Sequence, residues 1–145
     1  MIFLTQRQID LISREAENAY PRECCGMLVG KDNPNGGIVV SRIVVSPNVF
    51  DETAKDRFQV DPQIQIDLFR GLRETEERII GHYHSHPDHP AETSATDLEK
   101  AWEPELVWLI VAVANGKAEM VKAYRIDPTT GRFKELSLQI GGSTS

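Results

Sequence analysis

Apolar residues follow a helical spacing in two stretches of the chain. The first stretch begins after Thr5, which makes a capping box with Gln8. Its apolar positions are Ile9, Ile12, Ala16 and Ala19. In the second stretch, Asp61 followed by Pro62 is typical of a helix N-cap and first helical residue. Its apolar positions are Ile64, Leu68 and Leu72. The pattern predicts a long N-terminal helix and a second helix, each packed through one face.

Shorter apolar runs bounded by turn-forming residues predict strands. These runs are Cys24 to Val29, Ile38 to Val45, Ile79 into the histidines that follow, Leu106 to Ala114, Ala118 to Ile126, and Phe133 to Ile140. Asn115-Gly116 is a strong hairpin signal between two of them. A short third helix is predicted to start near Ser94 and to end at Glu103-Pro104. The expected fold class is α+β, with one mixed, mainly antiparallel sheet.

Composition fits a single domain, since 40% of the 145 residues are apolar and 26% are charged. The net charge of -6 comes without a block of Lys or Arg, which argues against nucleic acid as a partner. The chain opens without a signal-peptide pattern, and its longest apolar run has nine residues, too few to span a membrane. We expect a cytoplasmic protein without a membrane partner. Residues 1–140 would form the domain and 141–145 a flexible tail, and the oligomeric state stays open.

The only cysteines, Cys24 and Cys25, are adjacent. Neighbouring cysteines close a disulfide only in a strained ring, so we expect reduced thiols. Cysteine is among the most often buried residue types. The preferred interpretation is therefore structural, with the two side chains on opposite faces of a strand, and redox or metal chemistry is the alternative.

All four histidines lie within eight residues: His82, His84, His86 and His89. Side chains alternate faces along a strand, so the first three would point the same way, each about 6.6 Å from the next. Two such imidazoles can converge on one ion. A catalytic zinc site needs three protein ligands and leaves one position for water. The pattern favours a metal site whose third ligand comes from elsewhere, and Asp97 in the first turn of the third helix is the candidate.

A metal site of this kind also needs a base for the attacking water. Ser85 lies between the two candidate ligands, where zincins carry a Glu, so the base must come from outside. Asp88, Glu92 and more distant glutamates are all candidates, although loop carboxylates are usually solvated. Ser94-x-x-Asp97 is also a capping-box pattern, which is compatible with metal binding nearby.

His84-Ser85-His86-Pro87, six further residues and then Ser94-x-x-Asp97 resembles the JAMM motif of the MPN+ zinc metalloproteases, in residues and in spacing. The resemblance is to the small stand-alone prokaryotic branch. It extends to Tyr20 through Gly26, which is similar to the helix-to-strand turn that carries the family's catalytic glutamate. The segment from Asn48 to Pro62 is similar to the one before the second helix in small bacterial members. Together these stretches cover about two-thirds of the chain.

The resemblance implies a single MPN/JAB-type domain with one Zn²⁺ ion. His84, His86 and Asp97 would hold the ion together with a water. Glu23 would be the general acid/base, and Ser94 would help to stabilise the oxyanion. We assign no metal role to the other two histidines. His82 would lie near the site or on the surface, and His89 falls in the loop beyond the motif.

The family's activity implies a peptidase that cuts at the C-terminal diglycine end of a ubiquitin-like or sulfur carrier protein, for example to release cysteine. That carrier protein would be the partner. One alternative is an isopeptidase that removes a ubiquitin-like modifier from lysine. Another is a non-catalytic MPN scaffold in which zinc is only structural. The intact Glu23 separates the last alternative from the two enzymes.

Overall fold

A computed structural model describes residues 1–50, 57–93 and 105–141. Its two helices are α1 (Gln6–Ala19) and α2 (Pro62–Gly71). Its strands are β1 (Ile2–Thr5), β2 (Cys25–Asp32), β3 (Ile38–Ser46), β4 (Arg78–Pro87), β5 (Val107–Ala114), β6 (Lys117–Asp127), β7 (Arg132–Leu136) and β8 (Leu138–Gly141). The α+β class is confirmed. The predicted third helix, with Ser94 and Asp97, falls outside the described residues.

Within the described residues the strands form one sheet in the order β7-β6-β5-β4-β2-β3-β1-β8. Strands β2 and β4 are interior and pair antiparallel with each other. The pairs β4 with β5, β1 with β3 and β1 with β8 are parallel. The remaining pairs are antiparallel. The sheet is therefore mixed and mainly antiparallel, as predicted.

Two features of the strand prediction were wrong. Strand β1 was not expected, and the single strand expected from Phe133 to Ile140 is broken at Ser137. Its two halves lie at opposite edges of the sheet, and Ile2 N–H donates to the carbonyl of Ser137 at 2.9 Å. Apolar and polar residues continue to alternate through the break, so the sequence pattern does not predict it. Gly141, expected in the tail, pairs with Thr5 as the last residue of β8.

The helices begin where their capping residues predict. Thr5 accepts the N–H of Gln8, whose side chain accepts the N–H of Thr5, so the capping box is complete. Asp61 caps α2, and Pro62 is its first residue. Helix α1 packs through Ile12 and Ala16 against one face of the sheet, and α2 packs against the other. No helix in the described ranges is both long and apolar enough to cross a membrane.

The adjacent cysteines confirm the structural interpretation. Cys24 is buried in the core on the α1 face, and Cys25 is buried in the core on the α2 face. Burial raises the pKa of Cys24 to about 11 and that of Cys25 to about 12. Both thiols are therefore protonated at neutral pH, which disfavours nucleophilic or redox chemistry at this pair.

Candidate metal centre

Strand β4 presents two histidines on the α2 face of the sheet. His84 is fully buried and His86 nearly so. Their Nε2 atoms lie 3.1 Å apart, which is the convergence that alternation along a strand predicted. Because β4 pairs with β2 on one side and with β5 on the other, its backbone is fixed from both directions. The paired strands thus hold both imidazoles on a rigid backbone.

Aromatic rings surround the first of these histidines. The ring of Phe58 stacks on that of His84, with centroids 4.3 Å apart and planes inclined by 15°. Trp108 from β5 presents an edge to His84 at 5.7 Å. His82 packs against Trp108 at 4.3 Å and is half-buried. This packing excludes water around His84, and it places His82 in the aromatic layer beside the site.

The loop after β4 determines which nitrogen of His86 is free to bind. His86 Nδ1 lies 3.1 Å from the carbonyl oxygen of Pro90, and a carbonyl can only accept. Nδ1 therefore carries the proton, and in the neutral ring Nε2 keeps its lone pair for a ligand. Ala91, which follows Pro90, is held as well, since Tyr124 Oη donates to its carbonyl at 2.6 Å. Metal-binding histidines are typically oriented by such a bond from the other ring nitrogen.

The donor pair fits zinc. Two nitrogens bound to zinc at ~2.05 Å with a tetrahedral angle between them would lie roughly 3.3 Å apart. The separation of 3.1 Å between the Nε2 atoms of His84 and His86 is close to that value. Among the described residues no third His, Cys, Asp or Glu completes a cluster with them. The ligand predicted to do so, Asp97, lies outside those residues, as does Ser94.

Hydrogen bonds join the turn that carries the candidate base, Glu23, to the histidine strand. Cys25 pairs with His84 across β2 and β4, and Ser85 N–H donates to the carbonyl of Cys24 at 3.2 Å. Glu23 directly precedes Cys24 and lies two residues before β2 begins. The pocket that Glu23 lines is shared with Glu15 and Asn18 of α1 and with Asn48. The side chain of Glu23 is buried, with 5% of its surface exposed.

The other candidate bases are placed differently. Both oxygens of Asp88 are engaged, one by Tyr20 Oη at 2.6 Å and one by the Asn115 N–H at 3.0 Å. These bonds, that from Tyr20 foremost, lower the pKa of Asp88. Glu92 and His89 are exposed in the loop after β4. Of the three carboxylates considered, Glu23 alone is buried.

A family model, described as prokaryotic homologs of the JAB domain, matches residues 5–127. This is most of the chain. The chain belongs to this family.

Two kinds of curated relative of this JAB-domain chain carry functional names. The CysO-cysteine peptidase of Mycobacterium tuberculosis is 26% identical over 118 residues, which are 81% of this chain and 77% of the relative. The desampylase of Haloferax volcanii is 30% identical over 93 residues, 62% of each chain.

Solved structures share the fold over nearly the whole JAB domain. A protein from Desulfitobacterium hafniense superposes with a TM-score of 0.82 at 28% identity, covering 99% of this chain and 94% of that one. A protein from Salinibacter ruber gives 0.73 at 30% identity, covering 100% and 94%. A JAB1/MPN domain protein from Archaeoglobus fulgidus gives 0.62 at 18% identity, covering 97% and 98%, which supports the fold alone.

Sequence reasoning assigned no role at the site to three residues that support it, although two of them lie in the Asn48 to Pro62 segment of the family resemblance. Asn48, Phe58 and Ser85 each contact the histidines or the residues around Glu23. Phe58 follows an irregular segment, and nothing in its spacing marks it as a partner of His84. Ser85 was noticed only as the residue in the place of a zincin glutamate. A polar residue between two ligands on a buried strand must point to the opposite face, and that was the available signal.

Proposed function

We propose that this JAB-domain chain is a zinc-dependent metallopeptidase. It would hydrolyse the peptide bond that follows the C-terminal diglycine of a ubiquitin-like sulfur carrier protein, releasing a residue such as cysteine. His84, His86 and Asp97 would hold one Zn²⁺ together with a water. The buried, reduced cysteine pair is compatible with action in the cytoplasm.

The observation that carries the proposal is the histidine pair. Two buried Nε2 atoms lie 3.1 Å apart, and Nδ1 of His86 is occupied by the Pro90 carbonyl. Burial of two imidazoles costs free energy unless their nitrogens are used. A shared divalent cation uses both lone pairs at once, and nitrogen ligands at this separation suit zinc.

Bound zinc would lower the pKa of a water towards ~7 and polarise the substrate carbonyl. Glu23 would accept the proton of that water as it attacks, and would then pass it to the nitrogen of the leaving group. The Ser94 hydroxyl would donate a hydrogen bond to the oxyanion that develops on the carbonyl. The aromatic wall made by Phe58 and Trp108 keeps bulk water from His84, which strengthens electrostatic interactions in the site.

The relatives support a hydrolase of this kind and indicate two leaving groups. One relative is named for the CysO-cysteine substrate, and it supports the release of a single amino acid. The other is named a desampylase, and it supports a second candidate function, the removal of a ubiquitin-like modifier from a lysine side chain. Both reactions would use the same metal, base and oxyanion donor. They differ only in the amine that leaves.

The assignment of the base is tested by Glu23→Gln. We expect the variant to bind zinc like the wild type and to lose hydrolysis by about 10²–10⁴-fold, the usual contribution of a positioned acid/base. Glu92→Gln is the matched control, because Glu92 is an exposed glutamate in the loop that follows the histidines. Zinc content by mass spectrometry and turnover of a carrier substrate are measured together. Loss of activity in Glu92→Gln with activity retained in Glu23→Gln would reverse the assignment.

Mass spectrometry of the carrier protein tests the substrate class. Carrier protein with an added C-terminal cysteine and carrier joined to a lysine side chain are incubated with the protein and with a chelator-treated sample. Loss of the cysteine, blocked by the chelator, supports the peptidase. Cleavage of the branched conjugate alone supports the isopeptidase, and cleavage of neither by the zinc-loaded protein contradicts both.

A further inference from the structure

One half-buried amide side chain, that of Asn48, makes four hydrogen bonds to backbone groups. Nδ2 donates to the carbonyl of Glu23 at 2.9 Å and to that of Arg57 at 3.0 Å. Oδ1 accepts the N–H groups of Phe50 and Gln59, each at 3.0 Å. A carboxamide has two donor hydrogens and two acceptor lone pairs, so its capacity is fully used. The four partners also define which end of the amide is nitrogen.

These partners connect the two halves of the candidate site. Glu23 is the candidate base, and it precedes β2, so Asn48 gives its carbonyl a partner just before the strand begins. Arg57 and Gln59 flank Phe58, whose ring stacks on His84. The segment is held further by the Asn48 bridge to Val60 and by the Val49 N–H, which donates to the Gln59 carbonyl at 3.0 Å. A single side chain thus links the backbone of the base to the backbone that packs on a candidate metal ligand.

The residue after the base is held from the opposite direction. Cys24 N–H donates to Ser85 Oγ at 2.8 Å, and Ser85 N–H donates to the Cys24 carbonyl. Glu23 is therefore fixed on one side by the Asn48 amide and on the other through β4. Losing the Asn48 bonds would remove the hydrogen bond to the Glu23 carbonyl while those between Cys24 and Ser85 stay.

We propose that Asn48 is a positioning residue of this enzyme, which sets the place of the Glu23 carboxylate relative to His84 and His86. The inference rests on the proposed function. The Asn48 carboxamide is not an acid or a base near neutral pH, and its hydrogen-bonding capacity is used by the backbone, so it takes no part in the chemistry itself. Its effect on rate comes from geometry, since a displacement of about 1 Å in a reacting group can cost roughly 10²-fold.

Two substitutions separate the parts of this network. Asn48→Asp keeps the acceptor for Phe50 and Gln59 but turns an oxygen towards the carbonyls of Glu23 and Arg57, while Asn48→Ala removes all four bonds. Asn35→Asp is the matched control. Asn35 is exposed in the turn between β2 and β3, so the substitution adds the same negative charge without touching the network.

We expect both Asn48 variants to lose kcat by about 10-fold to 10²-fold at unchanged KM and full zinc content, with Asn35→Asp like the wild type. Amide hydrogen exchange gives a readout that needs no turnover. The Cys24 amide should exchange faster in both Asn48 variants, while the amide of Leu109 in the core strand β5 keeps its wild-type rate.

The outcomes distinguish this proposal from the function on which it rests. If the wild type cleaves the carrier and the Asn48 variants keep its kcat, or lose it only in proportion to lost zinc or folded protein, the positioning role is wrong. If the wild type cleaves no carrier, the proposed function fails, and hydrogen exchange decides about Asn48. Faster exchange confined to Cys24 and its neighbours then supports the positioning role, and unchanged exchange at Cys24 overturns it.

Discussion

Ser85→Ala tests how strongly the histidine strand is joined to the turn that carries Glu23. Ser85 has no exposed surface, and its Oγ accepts the Cys24 N–H at 2.8 Å. The substitution removes one oxygen atom, which leaves too little space for a water to replace it. The N–H of Cys24 then stays buried without an acceptor, whereas the backbone bond from Ser85 N–H to the Cys24 carbonyl is kept.

A buried donor left unsatisfied costs about 1–3 kcal/mol of unfolding free energy. The entropy of unfolding at ~2.1 cal/mol/K per residue amounts to roughly 0.3 kcal/mol/K for 145 residues. The expected decrease in melting temperature is therefore about 3–10 °C. Urea unfolding followed by tryptophan fluorescence measures the free energy directly, because Trp108 is buried in the core. Metal-free protein is used so that zinc binding adds nothing to the folded state.

Ser137→Ala is the control for this experiment. Ser137 is an exposed serine at the break between β7 and β8, and its substitution should change the free energy of unfolding by less than about 0.5 kcal/mol. A Ser85→Ala protein as stable as that control would refute the reasoning. It would mean that the Cys24 N–H finds another acceptor, and that the two segments are joined by packing rather than by this bond.

Three further predictions follow from buried or engaged groups. Gly26→Ala would drive a methyl group into the ring of the fully buried Tyr83, so we expect a loss of about 1–3 kcal/mol in urea unfolding, and an unchanged midpoint would contradict the packing. The pKa of Asp88 is lowered chiefly by Tyr20, so this carboxylate stabilises the fold above its unfolded pKa of ~3.9 and loses that contribution as the pH falls through its folded pKa. Tyr20→Phe should therefore flatten the loss of stability in acid, and an identical acid unfolding curve would count against the bond. The adjacent cysteine thiols, with pKa values raised to about 11 and about 12, should resist iodoacetamide in the native protein and react after unfolding, and equal rates in the two states would exclude burial as their protection.

Local signals predicted most of the elements correctly. The capping box at Thr5, the Asp61-Pro62 start of α2 and the Asn115-Gly116 turn each depend on residues adjacent in the chain. Asn115 and Gly116 both have positive φ, at 52° and 81°, as a tight hairpin turn requires. Such features are set by local hydrogen bonds and backbone preferences, so a single sequence contains them.

Long-range pairing decided the elements that were missed. Strand β1 has only four residues and is defined by its parallel neighbours β3 and β8. The break at Ser137 exists because the chain crosses there from one edge of the sheet to the other. Similarly, the bond from Asn48 to the Glu23 carbonyl joins residues 25 positions apart. Neither the period of apolar residues nor a turn signal reports which distant segments will meet.

The candidate site shows the same division between local and long-range information. His84 and His86 converge because they are two residues apart on one strand, and this spacing can be read directly from the sequence. Glu23 lies far from them in the chain, and only the pairing of β2 with β4 links its turn to their strand. Both bonds between Ser85 and Cys24 exist only in the observed register. Ser85, the residue between the two candidate ligands, thus joins their strand to the turn that carries the candidate base.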